Sequence, residues 1–137
     1  MRYWLMKSEP DVFSWDDLVA VGDKGEEWDG IRNYQARNFM REMEIGDKVF
    51  FYHSNIGLEV VGIAEVSATI HPDSTTEDPR WECVDIRAVK PLPKAVTLKQ
   101  VKATPELASM SLVTSMRLSV QPVTPEEWEI VCKMGGL

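Results

Sequence analysis

The sequence has few of the residues and patterns on which common metal and enzyme sites depend. Its 137 residues include only two cysteines, Cys83 and Cys132, and only two histidines, His53 and His71. Their spacing matches no usual zinc or redox site. Glycine-rich phosphate loops, nucleophile elbows and the helical zinc-protease motif are all missing. The sequence therefore predicts neither a metal nor a cofactor.

Long apolar runs are also missing. No stretch approaches the roughly 18–20 residues that a membrane-spanning helix needs. The first residues lack the apolar centre and the cleavage site of a secretory signal. We therefore expect no membrane association, a cytoplasmic location, and two buried, reduced thiols. The length suits a single domain over residues 1–137, which we expect to be a monomer.

Positive charge is scarce as well. The chain carries 15 lysines and arginines against 22 acids, for a formal net charge of −7. This balance disfavours a long groove that neutralises many phosphates. It leaves open a small pocket for one base or nucleotide, where a few well-placed groups decide binding. Arg32, Arg37 and Arg41 lie close together in sequence, so we expect one locally basic face.

Tryptophan, in contrast, is plentiful. Of five tryptophans, Trp4, Trp28 and Trp81 lie beside polar clusters rather than in apolar runs. A core tryptophan needs apolar neighbours and one partner for its indole N–H. An indole surrounded by charged and amide side chains is more typical of a pocket that stacks a flat ligand. Trp15 and Trp128 follow amphipathic helical patterns and are predicted to lie in the core.

The hydrophobic pattern changes its period along the chain. Apolar residues recur at helical spacing after Asn33, which we expect to cap a helix that continues to Gly46. Lys48–Ser54 and Glu59–Ile70 show strand patterns, and the turn residues at 55–57 predict that they form an antiparallel hairpin.

The remaining segments predict short elements. Tyr3–Lys7 has the pattern of a first strand, and Trp81–Val89 that of a later one. The later strand is expected to stop at Pro91, because proline cannot donate to a ladder. Thr124 is predicted to cap a final helix. Several mostly antiparallel strands with short helices packed outside predict an α+β fold with a small closed or nearly closed β-barrel.

Three polar clusters offer groups that could bind a ligand. They are Lys7, Ser8 and Glu9 at a strand end, Arg32 and Asn33 at a helix start, and His53 and Ser54 at another strand end. Such groups can read the edge of a heterocycle or hold a phosphate. Each cluster also has a plainer explanation: a polar strand end in water, a solvated basic helix face, and a hydrogen-bonded surface histidine. The residues alone leave both explanations open.

Motifs along nearly the whole chain resemble the EVE domain family. They are YWLMKSEP at Tyr3–Pro10, FSWDDL at Phe13–Leu18, WDGIRNYQARNFM at Trp28–Met40, GDKVFFYHSN at Gly46–Asn55, VGIAEV at Val61–Val66, DPRW at Asp78–Trp81 and LSVQPVTPEEW at Leu118–Trp128. The first motif and WDGIRNYQARN are specific in combination.

This resemblance implies a PUA-like β-barrel related to the YTH and ASCH domains. It also implies binding of DNA or RNA, without catalysis, through a modified base such as 5-methylcytosine that is flipped into a pocket. The positions that match the family's pocket motifs are Trp4, Lys7, Ser8, Glu9, Trp28, Arg32, Asn33, Tyr34, Asn38, His53, Ser54 and Trp81. Arg32, Arg37 and Arg41 are the expected phosphate contacts.

Two other functions stay open at this point. One is a small, ASCH-like hydrolase of a modified nucleoside, in which Lys7, Ser8 and Glu9, together with His53, supply the base and the polarising groups. The other is an interaction domain whose pocket is a relic.

Overall fold

Six strands form one mixed sheet in the computed structural model, which describes residues 1–137. The strands are β1 (Tyr3–Ser8), β2 (Glu26–Glu27), β3 (Lys48–His53), β4 (Glu59–Pro72), β5 (Glu82–Thr97) and β6 (Val120–Val123). Their order across the sheet is β2-β5-β4-β3-β1-β6. Only β1 and β3 pair in parallel, and the connection between them contains two α-helices and β2.

Hydrogen bonds do not close this sheet into a barrel. Its edge strands are β2 and β6, which have two and four residues and do not pair with each other. A closed barrel needs an unbroken ladder around its circumference. The predicted α+β fold with mostly antiparallel pairing is confirmed, while the hydrogen-bonded sheet itself remains open.

Five short helices surround the sheet: α1 (Trp15–Val21), α2 (Tyr34–Arg41), α3 (Leu98–Lys102), α4 (Ser111–Thr114) and α5 (Pro125–Met134). The Asn33 side chain accepts a hydrogen bond from the Ala36 N–H at 2.9 Å, as its predicted capping role requires. Thr124 caps α5, also as predicted: its hydroxyl accepts the Glu127 N–H, and the Glu127 carboxylate accepts the Thr124 N–H. None of the helices has the length and apolar character to cross a membrane.

Helix α2 is shorter than its apolar spacing predicts. It ends at Arg41 rather than Gly46, because the N–H groups of Glu42 and Met43 turn to the carbonyls three residues back. The Asp47 carboxylate then accepts the Glu44 N–H at 3.1 Å, which stabilises a turn instead of another helical residue.

Strand β5 continues through the prolines that were expected to end it. Pro91 pairs with Gly62 of β4, and the next pair is Val60 with Val96, so residues 92–95 lie opposite Val61 alone. A register shift of this kind leaves residues outside the regular ladder, where a missing N–H costs little. The predicted hairpin of β3 and β4 is confirmed, and Gly57 in its turn has a φ of 89°.

Each face of the sheet buries its own hydrophobic cluster. Alternation along β1 sends Trp4 and Met6 to the first face and Leu5 to the second. Helices α1 and α2 cover the first face, while α3, α4 and α5 cover the second. The central strands are therefore buried on both sides, and polar side chains concentrate at strand ends and in the connections.

Candidate functional site

A cavity of about 330 Å³ opens where β1 ends, on the side of the first face. Its ten lining residues come from the end of β1 and the following loop, from β2, and from the segment after β2. They are Lys7, Ser8, Glu9, Val12, Phe13, Glu26, Glu27, Trp28, Asp29 and Ile31. All of them lie between residues 7 and 31, at the end of β1 or in the first part of the connection that joins it to β3.

Trp28 forms the aromatic wall of the cavity. Its backbone N–H donates to the Val84 carbonyl at 2.8 Å, which continues the pairing of β2 with β5 and fixes the indole. Phe13 and Phe51 both meet this indole edge-on, with ring centroids 6.2 and 5.7 Å away and interplanar angles of 84°. No ring of the protein stacks parallel on Trp28, which is 7% exposed and lines the cavity with that small remaining surface.

The end of β1 places an ammonium and a hydroxyl at the rim. Lys7 Nζ donates to the Met116 carbonyl at 2.5 Å and lies 5.7 Å from the centre of the Tyr52 ring. Burial lowers the pKa of Lys7 from its ordinary value. The Ser8 hydroxyl donates to the Phe13 carbonyl at 2.5 Å, which holds the loop that carries Phe13 against the strand end.

Carboxylates outnumber cations around the cavity. Glu9, Glu26, Glu27 and Asp29 line it with Lys7 as the one basic residue. Burial and then repulsion from neighbouring carboxylates raise the pKa of Glu26 and of Asp29. A ligand that brings hydrogen-bond donors relieves this repulsion, whereas a phosphate adds to it. The cavity therefore suits the amino-bearing edge of a base better than a phosphate.

Asp73 supports the cavity from behind. Its side chain is 1% exposed. It accepts hydrogen bonds from the Gly30 N–H at 2.8 Å, from Arg32 at 3.0 Å, and from the N–H and hydroxyl of Thr75 at 2.8 and 2.5 Å. Burial opposes ionisation, but these bonds outweigh it and hold the pKa of Asp73 well below its ordinary value. The carboxylate thus ties the loop after β4 to the segment that follows Trp28.

Next to this support lies a partly exposed patch of aromatic rings and guanidinium groups, which we call the arginine–aromatic patch: Arg32, Tyr34, Arg37, Arg80 and Trp81. Tyr34 and Trp81 stack with centroids 5.0 Å apart. Arg37 lies 4.8 Å from the Tyr34 ring, and Arg32 lies 5.5 Å from the Trp81 ring. The patch is separate from the cavity, although Arg32 directly follows the cavity residue Ile31.

The sequence-predicted site residues divide among several places. Lys7, Ser8, Glu9 and Trp28 line the cavity. Arg32, Tyr34 and Trp81 belong to the arginine–aromatic patch, and Asn33 and Asn38 lie beside it on α2. Asn33 serves as the helix cap, and the Asn38 side chain accepts from the Arg37 guanidinium at 2.9 Å.

Trp4 lies in the core and does not line the cavity. It has no exposed surface, and its indole N–H donates to the buried Asp47 carboxylate at 3.0 Å. The polar cluster that follows Trp4 in sequence belongs to the strand end, whereas Trp4 itself is inside the strand and faces the helices. The structure thus gives this indole the partner that a core tryptophan needs.

His53 and Ser54 also bond away from the cavity. His53 Nε2 accepts the Trp15 N–H at 3.1 Å at the start of α1, and burial lowers the pKa of this imidazole. The Ser54 N–H donates to the Ser8 carbonyl at 2.9 Å and extends the parallel pairing. Because the Ser8 hydroxyl donates to Phe13, the groups that a hydrolase would pair as nucleophile and base bond elsewhere.

The three arginines predicted to contact phosphate differ in whether their guanidinium groups are already paired with a carboxylate. Arg41 forms an ion pair with Glu82 at 2.5 Å, and Arg32 one with Asp73 at 3.0 Å. Arg37 has no carboxylate partner and donates to the Arg80 carbonyl at 2.9 Å and to Asn38. Of the three, Arg37 therefore has the guanidinium charge most available to a phosphate.

Sequence reasoning missed six cavity residues: Val12, Phe13, Glu26, Glu27, Asp29 and Ile31. Phe13, Asp29 and Ile31 lie inside motifs that carried the family resemblance, so their position was a usable signal. Glu26 and Glu27 form a strand of two residues, which is too short to show any periodicity.

A larger groove of about 520 Å³ lies on the second face, next to Trp128. It is lined mainly by apolar residues, and none of the sequence-predicted site residues borders it. Of the two, only the smaller cavity at the end of β1 is lined by sequence-predicted site residues.

Comparison with solved structures supports the fold. Protein Atu2648 from Agrobacterium tumefaciens is 66% identical with a TM-score of 0.99, over 100% of this chain and 94% of that chain. The human THYN1 protein, solved in complex with DNA containing 5-methylcytosine, is 35% identical with a TM-score of 0.93, over 100% and 99% of the two chains. The YTH domain of Zygosaccharomyces rouxii MRB1, at 19% identity and a TM-score of 0.57, shares the fold over 98% of this chain and 86% of that chain.

Sequence comparison agrees with the structures. Thymocyte nuclear protein 1 of Mus musculus is 37% identical, with 97% of this chain and 73% of that protein aligned. The family model of the EVE domain matches residues 2–134. The chain therefore belongs to the EVE domain family.

Proposed function

We propose that this protein binds nucleic acid through a modified cytosine, which leaves its stack and enters the cavity at the end of β1. The observation that carries the proposal is a cavity of about 330 Å³ that Trp28 lines with no parallel ring against its indole. The human relative whose structure contains 5-methylcytosine DNA supports the same ligand class.

The charges of the cavity favour cytosine over other bases. Carboxylates accept hydrogen bonds from the exocyclic amino group of cytosine, and Glu26 and Asp29 are carboxylates that gain from such a donor. The Lys7 ammonium has three N–H donors and uses one on the Met116 carbonyl, so it can donate to the acceptor atoms of the same edge. A methyl group at C5 adds apolar contact against the side chains of Val12, Phe13 or Ile31.

The arginine–aromatic patch supplies the second half of the proposed interface. A negative cavity does not attract a phosphate, so the flanking backbone needs cations outside it. Arg37, which has no carboxylate partner, lies 4.8 Å from the Tyr34 ring, whereas Arg80 is already paired with Asp78 at 2.6 Å. Protein of net charge −7 should bind unmodified strands weakly, because little phosphate charge is neutralised.

A substitution that fills the cavity tests the proposal. Val12 lines the cavity and is 76% exposed, so Val12→Trp should block the entrance without disturbing the core. We expect this variant to lose the stacking of the base and to bind a 5-methylcytosine oligonucleotide about tenfold more weakly or worse. Fluorescence anisotropy against the same oligonucleotide with unmodified cytosine gives the affinity and the preference together.

Val19→Trp is the matched control. Val19 is also an exposed valine, at 51%, but it lies on α1 and does not line the cavity. It should bind as the parent protein does. If Val12→Trp keeps the affinity and the preference of the parent, the cavity is not the place where the base is bound.

A further inference from the structure

A cluster of side chains of the types that ligate metals adjoins the cavity, which its member Glu27 also lines, in a place that no sequence motif indicates. The pairing of three strands creates it. His71 of β4 lies opposite Cys83 of β5, and Glu27 of β2 lies opposite Asp85 of β5. Because Cys83 and Asp85 are two residues apart on one strand, all four side chains project from the same face of the sheet.

The side chains meet as the register requires. The Cys83 thiol donates to Glu27 Oε1 at 3.5 Å, and His71 Nε2 lies 2.7 Å from Asp85 Oδ1. One sulfur, one imidazole nitrogen and one carboxylate oxygen, from Cys83, His71 and Glu27, all lie within 4.8 Å of one another. Thiolate, imidazole and carboxylate are the three ligand types that Zn²⁺ uses in proteins.

The surroundings of His71 resemble those of a metal ligand. Metal-binding imidazoles donate their other ring N–H to a carboxylate or a backbone carbonyl, which fixes the ring. His71 has both acceptors in place, since Nε2 faces Asp85 and Nδ1 lies 3.0 Å from the Pro72 carbonyl. Whichever nitrogen turns to a cation, the other keeps an orienting partner.

From these contacts we infer that Glu27, His71 and Cys83 form a binding site for a zinc-like transition-metal ion, with Asp85 orienting the histidine. The ion reaches the buried Cys83 sulfur between Glu27 and His71, which are both partly exposed. Binding replaces the thiol proton, which passes to solvent. The sulfur and nitrogen donors select borderline metals over Mg²⁺, which prefers oxygen.

Such an ion would stabilise the position of the cavity wall. Glu27 lies on the edge strand of two residues and directly precedes Trp28. A metal that joins Glu27 to His71 and Cys83 fastens this short strand to β4 and β5 and so fixes the aromatic wall. This role goes beyond base binding and does not depend on it.

Titration of the protein with Co²⁺ tests the site, because a cobalt–thiolate bond produces a charge-transfer absorption band in the near ultraviolet. We expect the band to saturate at one Co²⁺ per chain and to be absent in Cys83→Ser. Cys132→Ser is the matched control, since this second free cysteine lies outside the cluster, and it should keep the band. Asp85→Asn should weaken binding by about tenfold to a hundredfold.

Thermal unfolding provides an independent measurement should Cys83→Ser not fold. Zn²⁺ should raise the unfolding temperature of the parent and of Cys132→Ser, because it binds only the folded chain. It should not raise that of His71→Asn, and Mg²⁺ should raise none. The inference is overturned if the parent shows no thiolate band, if the band survives in Cys83→Ser, or if Zn²⁺ stabilises His71→Asn as much as the parent.

Discussion

The two faces of the sheet use their aromatic residues differently. On the second face the rings stack on one another: Trp128 lies 3.8 Å from Phe50 and 4.6 Å from Tyr3, with interplanar angles of 15° and 22°. On the first face Trp28 has only edge-on partners. The second face thus stacks its tryptophan within the protein, whereas Trp4, Trp15 and Trp28 on the first face all lack a parallel partner. Of these three, only Trp28 lines the cavity.

The two faces also differ in how far their acidic side chains are satisfied within the protein. Glu127 on the second face accepts the Thr124 N–H at 3.0 Å and completes a helix cap. Around the cavity on the first face, the pKa of Glu26 and that of Asp29 are raised by burial and by repulsion among acids. Glu127 is thus satisfied within the protein, whereas the acids around the cavity keep a repulsion that neighbouring protein groups do not fully relieve.

The largest expected effect comes from truncating one tryptophan on each face. Trp28→Ala and Trp128→Ala should each lower the free energy of unfolding by about 3–5 kcal/mol, because both indoles are at most 9% exposed. Only Trp28→Ala should also weaken binding of a 5-methylcytosine oligonucleotide, by roughly 5- to 150-fold, through lost stacking. Urea unfolding and anisotropy, at a temperature where circular dichroism shows both variants folded, give the two values.

Trp128→Ala controls for the loss of stability alone. If it weakens base binding as much as Trp28→Ala does, the functional contrast between the two faces is wrong.

A smaller effect is expected from the buried carboxylates of the two faces. Asp73→Asn removes a charged acceptor of four hydrogen bonds and should lower the free energy of unfolding at pH 7 by about 1.5–3 kcal/mol. Since the folded-state pKa of Asp73 is depressed, its contribution is present above the unfolded-state pKa and is lost as pH falls towards the folded-state pKa. The difference between parent and variant should therefore shrink steadily below about pH 4.

Glu127→Gln is the comparison on the second face. Glutamine also completes this type of cap, so we expect a loss below about 0.5 kcal/mol. Chemical denaturation at several pH values measures both variants. A pH-independent loss in Asp73→Asn would show that the charge of Asp73 is not what stabilises the loop.

The smallest effect concerns the arginines beside the first face. Arg37→Gln should weaken oligonucleotide binding modestly and reduce the slope of log affinity against log salt by about 0.7–0.9, the value for one phosphate contact. Arg41→Gln should change the slope less, because Arg41 is neutralised by Glu82. Equal slopes for Arg37→Gln and the parent would place the phosphate contacts away from the arginine–aromatic patch.

Much of the fold follows from the sequence, because periodicity and caps are local. The cap at Asn33, the hairpin of β3 and β4, and the last helix all form from residues adjacent in the chain. The ends of α2 and β5 were predicted wrongly because contacts with residues outside each element determine them. The Asp47 carboxylate accepts a hydrogen bond in the turn after α2 and stabilises it. A shift in register against β4 accommodates the prolines of β5.

The candidate site follows from the sequence only in part. Motifs identified Lys7, Ser8, Glu9 and Trp28, whose place at a strand end or next to one is a local property. Trp4 looked equivalent because its polar neighbours are close in sequence, although alternation along β1 turns its ring inward. The cluster of Glu27, His71 and Cys83 had no local signal, since only the pairing of three strands brings it together.

The parallel pairing of β1 with β3 has a consequence for how this protein can diversify. Parallel neighbours need a long crossover, and every residue that lines the cavity lies within its first part or at the strand end that leads into it. If the cavity binds the base as we propose, ligand preference is encoded in one continuous stretch, residues 7–31, which can be transferred as a unit from one homologue to another. Recombination within a lineage could change what is recognised while the rest of the sheet stays the same.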